Sequence, residues 1–397
     1  MCQNAPMSQV HARDKPVGEA GRAAARPRLA HVDGLRGLAA LYVTLYHAAG
    51  DAPPPALRVI AWPLQFGHYA VGLFIVLSGY CLMLPVARSR NGRIEGGIAG
   101  YAARRARRIL PAYYSVLLVA MAAVAVARLR YAPATAEEAD VLRLTPGTVV
   151  SHLLLLHNLS PRWATAFDPP MWSIAAEWQI YALFPMLLLP AWRRFGAPGA
   201  ALAGVALGVA PHLLVPARAN FDFTFPWYAG LFALGMAAAS IAHSARLADI
   251  RLRERVPWRA VTLAIGLVFL AVATRDPDPP VGRYLAPDLL LGGFAASLLV
   301  VLAAETDAPR RNRGPSGMLS ALLHSRPALS LGVCSYCLYV VHAPVLWALG
   351  VALDAVHCSQ TAAFFIRIGL GSELAVAAAF AVSLAVERPF LAQRRPR

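Results

Sequence analysis

Residues 67–86 read GHYAVGLFIVLSGYCLMLPV, twenty residues without a single Asp, Glu, Lys or Arg. An α-helix rises about 1.5 Å per residue, so about 20 mainly apolar residues cross the hydrocarbon core of a bilayer. This stretch therefore predicts a membrane-spanning helix.

Nine other stretches share this apolar character. Together with 67–86 they predict an all-α, polytopic membrane helical bundle of about ten transmembrane helices. The predicted spans are 33–50, 67–86, 109–127, 172–191, 198–215, 225–242, 259–274, 287–304, 328–350 and 362–386. The run 147–157, GTVVSHLLLLH, is apolar but too short to cross. We expect it to form an interfacial or re-entrant helix within a long loop.

The composition of the whole chain agrees with a membrane protein. Hydrophobic residues make up 58% of the 397 residues and charged residues only 15%, whereas soluble domains carry about 25% charged residues. Too few polar side chains remain to cover a water-facing surface, which excludes an ordinary soluble domain.

The strong positive charge, +16 at pH 7, follows the predicted topology. If the N-terminus is cytoplasmic, 27 of the 37 Lys and Arg residues lie in inside segments and eight in outside segments. Cytoplasmic loops of membrane proteins carry such an excess. Both termini are therefore predicted to be cytoplasmic, and we expect no nucleic acid as a partner.

The remaining sequence predicts few other features. The first 30 residues are polar and lack an apolar core, so they predict a disordered cytoplasmic tail rather than a signal peptide. Residues 31–392 then form one transmembrane domain, and 393–397 a short cytoplasmic tail. Cys334 and Cys337 form a C-x-x-C pair without a second cluster. We expect them to be helix-packing residues, with no metal site.

The first span carries Arg36 and His47, which are 11 residues apart. Eleven steps of about 100° bring both side chains to the same side of a helix, roughly 16 Å apart along its axis. Histidine is the usual general base near neutral pH. His47 is either such a base or an interfacial side chain hydrogen-bonded to a neighbouring helix.

Spans two and four contribute further candidates. Ser78 and Gly79 form either a packing notch or a hydrogen-bond donor beside a substrate. In the fourth span, Ser173, Glu177 and Tyr181 are spaced four residues apart and share one helix face. Glu177 could pair with an intramembrane Arg, partner His47 or bind a sugar hydroxyl.

Four arginines precede span three, at positions 104, 105, 107 and 108. They could anchor the helix to anionic lipid. However, one or two charges would orient a helix, and Arg side chains bind phosphate well. A cytoplasmic phosphate-bearing donor is the expected partner of Arg104, Arg105, Arg107 and Arg108.

Two more polar positions lie near the C-terminus. Tyr339 and His342 are neighbours on one face of span nine, where they either join helices or contact a substrate. Glu387 and Arg388 end the last span, and the simplest interpretation of Glu387 is a helix cap.

These motifs, in this order, resemble the signature blocks of the membrane acyltransferase 3 family. The resemblance covers residues 30–392, nearly the whole chain. The blocks are Asp33-Gly-Leu-Arg36-Gly with His47, Phe74 with Ser78-Gly79-Tyr80, Arg104-Arg105 with Arg108-Ile-Leu-Pro111, Trp172-Ser173 with Glu177 and Tyr181, Tyr336 with Leu338-Tyr339 and His342, and Glu387-Arg388-Pro389-Phe390.

The resemblance implies a ten-helix protein of the bacterial inner membrane. Such proteins move acetyl or other short acyl groups from cytoplasmic acyl-coenzyme A (acyl-CoA) to hydroxyls of carbohydrates, cell-surface glycans or related metabolites. Arg36 and His47 are the implied catalytic centre, to which we add Glu177. Arg104, Arg105 and Arg108 are implied to contact the phosphates of CoA, and we add Arg107.

The implied co-substrate is acyl-CoA, with acetyl-CoA the expected donor, and the implied partners are the lipid bilayer and a glycan acceptor. We expect Ser78, Ser173, Tyr181, Tyr339 and His342 to bind substrate. Some family members carry an extracytoplasmic SGNH-type domain after the membrane part, and we expect no fused SGNH domain here. The alternative function is a transporter or flippase of a glycan or lipid-linked intermediate, for which inverted repeats would be typical.

Overall fold

A computed structural model describes residues 29–50, 53–130, 133, 135–215, 224–276, 281–307 and 317–392. Within these ranges the regular structure is entirely helical. The predicted tails 1–30 and 393–397 lie almost wholly outside the described residues, so the structure does not test them.

Three long helices open the bundle: α1 at Ala30–Ala49, α2 at Gly67–Arg88 and α3 at Gly97–Arg130. The third is longer than its predicted apolar core because it begins before the four arginines. Its first turns therefore present those guanidinium groups at the end of the bundle where α1 begins.

Two helices follow with little interruption, α4 at Trp172–Leu183 and α5 at Leu189–Leu214, joined by a π-helical turn at Phe184–Leu188. Pro185 lies in that turn, and proline cannot donate the backbone hydrogen bond of a regular α-helix. Inside α5, Gly196 has φ +72° and ψ −165°, which interrupts the helix. Glycine tolerates this positive φ, and the break falls between two predicted spans.

The middle of the chain contains α6 at Tyr228–His243, α7 at Leu247–Arg255, α8 at Trp258–Ala273 and α9 at Leu285–Asp307. The chain turns by 90° between α6 and α7.

The last part contains α10 at Arg326–Ala355, α11 at Gln360–Ile366, α12 at Ser372–Val382 and α13 at Arg388–Ala392. The π-helical turns Arg367–Gly371 and Ser383–Glu387 join the last three into one long helical segment.

Short helical segments occupy the connections. The predicted interfacial run 147–157 contains a helix with a capping box at Thr145, and its position at a membrane surface stays a prediction. The segments are Arg58–Ala61, Ala136–Val141, Pro146–Leu153, Pro161–Ala164 and Gly317–Leu323, with 3₁₀ turns at Pro55–Leu57, Trp62–Leu64, His157–Leu159, Pro169–Met171 and Val281–Tyr284.

Glycines set the closest helix contacts. In α1 and α10, Gly37 and Gly332 face the partner backbone so closely that a Cβ would lie 2.3 and 2.2 Å from carbonyl oxygens. Gly79 of α2 and Gly235 of α6 show the same reciprocal packing, at 2.0 Å each. Small residues permit such backbone approach between helices in lipid. The notch interpretation therefore holds for Gly79.

Among the described residues, six helical segments are long and apolar enough to cross a membrane, or up to seven if the bent pair of α6 and α7 forms one span. A helix occupies each predicted interval, but α1 and α8 are not among these segments, and the predicted spans 172–191 and 198–215 fall within one of them. The count of ten crossings and the cytoplasmic termini stay predictions. The six segments are Pro55–Arg88, Gly97–Arg130, Pro169–Leu214, Gly282–Thr306, Arg326–Ala355 and Gln360–Leu391.

Candidate active site

Four helices, α1, α2, α4 and α10, enclose a cavity of about 40 Å³ in the bundle interior. Such a volume holds a few water molecules. Polar groups from four separate predicted spans meet here. The lining residues are Arg36, Val71, Phe74, Ile75, Ser78, Ser173, Ile174, Glu177, Ser335, Tyr336 and Tyr339.

Arg36 and His47 both face α10, as their spacing in α1 predicted. Arg36 lines the cavity beside Tyr336 and Tyr339. His47 lies further along α1, and its Nδ1 is 3.2 Å from Nε2 of His342. The His47 side chain is exposed, whereas His342 is fully buried. The two imidazoles mark one end of the site, called here the His47 end.

Glu177 lies deeper in the bundle, where it accepts hydrogen bonds from the Ser78 hydroxyl and from the Tyr181 hydroxyl, the latter at 2.5 Å. These two hydroxyls are the hydrogen-bond partners that the structure gives to Glu177, and a role of Glu177 as partner of His47 stays a prediction. In the described part of the chain Glu177 makes no ion pair with an arginine. It lies on α4, one turn from Ser173 on the side away from His342.

Ser173 and Tyr339 form the middle of the site. Their hydroxyl oxygens are 2.6 Å apart, and each lies 3.1 Å from the backbone oxygen of Pro170. His342 follows Tyr339 by three residues, so these hydroxyls lie about one helical turn from the imidazole pair.

The four arginines of α3 do not form one shared cradle. Successive residues of a helix differ by about 100°, so Arg105 and Arg108 share a face and Arg107 points elsewhere. Arg104 donates to the Glu95 backbone oxygen at 2.7 Å, and Arg107 is exposed. Arg108 pairs with Glu387.

Glu387 corrects the interpretation of the C-terminal motif. It is only 2% exposed, and besides Arg108 it accepts from the Cys337 thiol and the Ser383 hydroxyl, each at 3.1 Å. The π-helical turn Ser383–Glu387 brings this carboxylate inside the bundle. Glu387 is therefore a buried ion-pair partner, not a helix cap, and Cys337 is a hydrogen-bond donor as well as a packing residue.

Arg36 and Arg105 have no directly bonded counter-ion in the described residues, although the Glu177 carboxylate lines the same cavity as Arg36. Within the described ranges neither guanidinium forms a hydrogen bond or an ion pair, and the Nε atom of each is buried. The charges of Arg36, Arg105 and Arg108, and the opposite charge of Asp33, all act on the Cys81 thiol of α2, so these groups share one region. An uncompensated charge is costly inside a membrane protein, so this interior region favours an anionic group. We call it the Arg105 end of the site.

The sequence prediction missed several buried polar groups. Both carboxylate oxygens of Asp168 are buried and have no partner among the described residues, and burial raises the pKa of Asp168 well above its usual range. His68 contacts both oxygens of Asp288 at 3.0 and 3.1 Å, and the Trp227 indole donates to Asp288 at 2.8 Å. His68 and Asp288 are 220 residues apart, so no pattern in the sequence indicated that they are in contact.

A helical bundle with several membrane-crossing segments and a polar interior site defines a multi-pass membrane protein. The chain belongs to the acyltransferase 3 family, because residues 29–386 match that family's acyltransferase domain. Membership places it among membrane-bound acyltransferases.

Two curated relatives have informative names. The first, from Bacillus subtilis (strain 168), is named "Putative peptidoglycan O-acetyltransferase YrhL" and is 25% identical over 340 residues, 79% of this chain and 48% of the relative. The second, "Peptidoglycan O-acetyltransferase OatA" of Listeria monocytogenes serovar 1/2a, is 25% identical over 337 residues, 79% of this chain and 49% of the relative. The chain thus spans about half the length of these relatives.

Proposed function

We propose that this protein is an O-acyltransferase that moves an acetyl or other short acyl group from cytoplasmic acyl-CoA to a hydroxyl of a cell-surface glycan. We further propose ten crossings of a bacterial inner membrane with both termini cytoplasmic. The observation that carries the proposal is that two buried guanidinium groups, Arg36 in the wall of the cavity and Arg105, have no direct hydrogen-bond or ion-pair partner among the described residues. Family membership supports the acyl transfer.

The Arg105 end is the proposed binding region for the phosphates of CoA. Arg105 faces the interior and needs an anion, which a phosphate supplies with good geometry. Arg104 and Arg107 lie at the same end and add positive charge to the mouth. Arg108 contributes indirectly, since its charge is already matched by Glu387.

Arg36 is the proposed contact for the acyl-bearing arm of the donor. It lies roughly 16 Å from His47 along α1, too far to contact the same reacting carbonyl. The cavity of about 40 Å³ is too small for the whole arm of CoA, so donor binding must part the side chains that line it. Phe74, Tyr336 and Tyr339 are the bulky groups that would move.

The His47 end is the proposed place of acyl transfer. The acceptor oxygen attacks the thioester carbonyl carbon while its proton passes to His47, and the carbon–sulfur bond breaks to give the ester and CoA thiolate, which takes the proton. The Ser173 and Tyr339 hydroxyls are the nearest cavity donors to a developing oxyanion there. Ser78 and Tyr181 instead hold the carboxylate of Glu177.

The names of the relatives point to one acceptor class. Both refer to peptidoglycan O-acetylation, and we propose a glycan hydroxyl of this kind, with acetyl-CoA as donor.

The experiment follows CoA thiol release by membranes containing the protein, supplied with acetyl-CoA and peptidoglycan fragments. Acceptor-dependent release together with an acetylated glycan product is the expected result. Arg105→Ala should raise the apparent KM for acetyl-CoA about tenfold or more, whereas the exposed control Arg90→Ala should not. Transport of intact glycan without thiol release would refute the proposal in favour of a transporter.

A further inference from the structure

The hydrogen-bond partners of His342 define its tautomer. Its Nδ1 lies 2.7 Å from the Tyr339 backbone oxygen and 3.3 Å from that of Leu338. Carbonyl oxygens only accept hydrogen bonds, so Nδ1 carries the hydrogen. In a neutral imidazole the other nitrogen, Nε2, then presents a lone pair. It points to His47.

The same reasoning applies to His47. Its Nδ1 contacts the Val43 backbone oxygen at 3.0 Å and Nε2 of His342 at 3.2 Å. Both are acceptors once His342 has the tautomer above, so Nδ1 of His47 carries the hydrogen. In neutral His47 the basic lone pair is consequently on Nε2.

We propose that His342 is a positioning residue that fixes the tautomer of His47 and stabilises its imidazolium. The inference rests on the proposed function of His47 as general base. Nε2 of His47 takes the proton of the acceptor hydroxyl, while Nδ1–H of His47 donates a hydrogen bond to Nε2 of His342. This hydrogen bond becomes stronger as positive charge develops on the His47 ring. His342 itself neither gains nor loses a proton, and backbone carbonyls hold its orientation.

A neutral imidazole suits this position better than the carboxylate that orients histidine in a Ser-His-Asp triad. His342 is fully buried in the interior of α10, where an unpaired carboxylate would need strong compensation. Titratable or charged groups near the pair include Tyr46, whose ring packs on His47, and Tyr339, whose ring centroid is 5.7 Å from that of His342. The guanidinium of Arg367 approaches Gly50 at the end of α1.

The test replaces His342 by Phe and by Gln. Phe fills the space of the imidazole but provides no hydrogen-bond acceptor. The side-chain oxygen of Gln can occupy the position of the native His342 Nε2 and accept from Nδ1–H of His47. We expect His342→Phe to lower kcat about 100-fold, within the range that general-base catalysis contributes, with KM for acetyl-CoA changed less than about threefold. His342→Gln should stay within about tenfold of the native kcat. The exposed His324→Phe is the control.

The pH profile separates positioning from packing. His47 acts as a base in its neutral form, so kcat/KM rises with pH as the imidazolium loses its proton. Without the His342 acceptor the imidazolium is less stable, and the acidic limb of the His342→Phe profile should move to lower pH. A uniform loss at all pH values, equal for Phe and Gln, would overturn the inference.

Two further measurements show whether a loss of activity in the His342 variants reflects unfolding or a changed tautomer of His47. Thermal unfolding in detergent establishes that each variant is folded, and ¹⁵N NMR of histidine-labelled protein, assigned with His47→Gln, reports the tautomer directly. A hydrogen on Nε2 of His47 would refute the inference even if His342→Phe does not fold. If His47→Ala retains native acyl transfer, the general-base role in the proposed function fails instead.

Discussion

Replacing Glu387 tests whether Arg108 is a structural cation or a ligand of the acyl donor. Glu387 is buried, and the Arg108 side chain retains 24% exposure. Removing one partner of a buried ion pair destabilises by about 3–5 kcal/mol, and the partial exposure of Arg108 favours the lower value. We therefore expect Glu387→Leu to lose about 3 kcal/mol, which lowers Tm by about 6 °C at about 2 °C per kcal/mol for a large chain.

Replacing both partners should restore most of this loss. Apolar side chains of similar volume commonly replace a buried ion pair without a large change in stability, so Arg108→Met with Glu387→Leu should lie within about 1 kcal/mol of the native protein. In a double-mutant cycle, the free energy of unfolding of the double variant should then exceed that of the Glu387→Leu single variant by about 2 kcal/mol or more. Thermal unfolding in detergent, followed by intrinsic fluorescence, measures all four proteins.

The double variant also answers the question about the donor. If Arg108 serves only the pair, the KM for acetyl-CoA should change less than about twofold, while Arg105→Ala still raises it. The reasoning is refuted if the folded double variant shows a tenfold rise in KM, because Arg108 would then bind the donor itself.

Three other outcomes follow from buried groups. Gly235→Leu should abolish folding, because its Cβ would lie 2.0 Å from the Val76 oxygen; normal yield in detergent would contradict this. Burial raises the pKa of Asp168 in the folded protein. The free energy of unfolding should therefore fall as pH rises from the unfolded-state pKa of Asp168 to its folded-state pKa. Asp168→Asn should show a smaller fall when Tm is measured across this pH range. Burial lowers the pKa of His152 to about 4 and of His157 to about 3, so stability should fall as pH drops below about 6.5. His152→Gln with His157→Gln should lose this acid sensitivity in the same assay.

Geometry within one helix could be predicted from the sequence. Arg36 and His47 do face the same neighbour, because 11 residues return a helix close to its starting direction. The lengths of the apolar runs also predicted where the helices lie, because a helix needs about 20 apolar residues to cross a bilayer. The four arginines looked like one cluster because they are close in sequence, yet the 100° step separates Arg105 and Arg108 from Arg107.

Contacts between helices could not be predicted in this way. Ser78 and Glu177 are 99 residues apart, Arg108 and Glu387 279, and His47 and His342 295. Whether two such residues come into contact depends on which helices are neighbours and on their relative positions along the bundle axis. Close glycine contacts between helices, such as Gly37 with Gly332, help to fix both. Glu387 carried no sign of burial in its own motif, since the π-helical turn that brings it inside is not visible in the apolar pattern.

The distribution of charge along the site explains why its polar residues differ between the two ends. At the Arg105 end two cations have no direct partner among the described residues, and the anionic donor proposed above would lower the energy of a region that is otherwise unfavourable in a membrane. At the His47 end the buried partner is the imidazole of His342, which backbone oxygens hold through Nδ1. The Glu177 carboxylate lies between them and is satisfied by two hydroxyls, Ser78 and Tyr181. In the proposed reaction, a carboxylate placed against His47 would put a fixed negative charge near the oxyanion that develops on the thioester carbonyl oxygen.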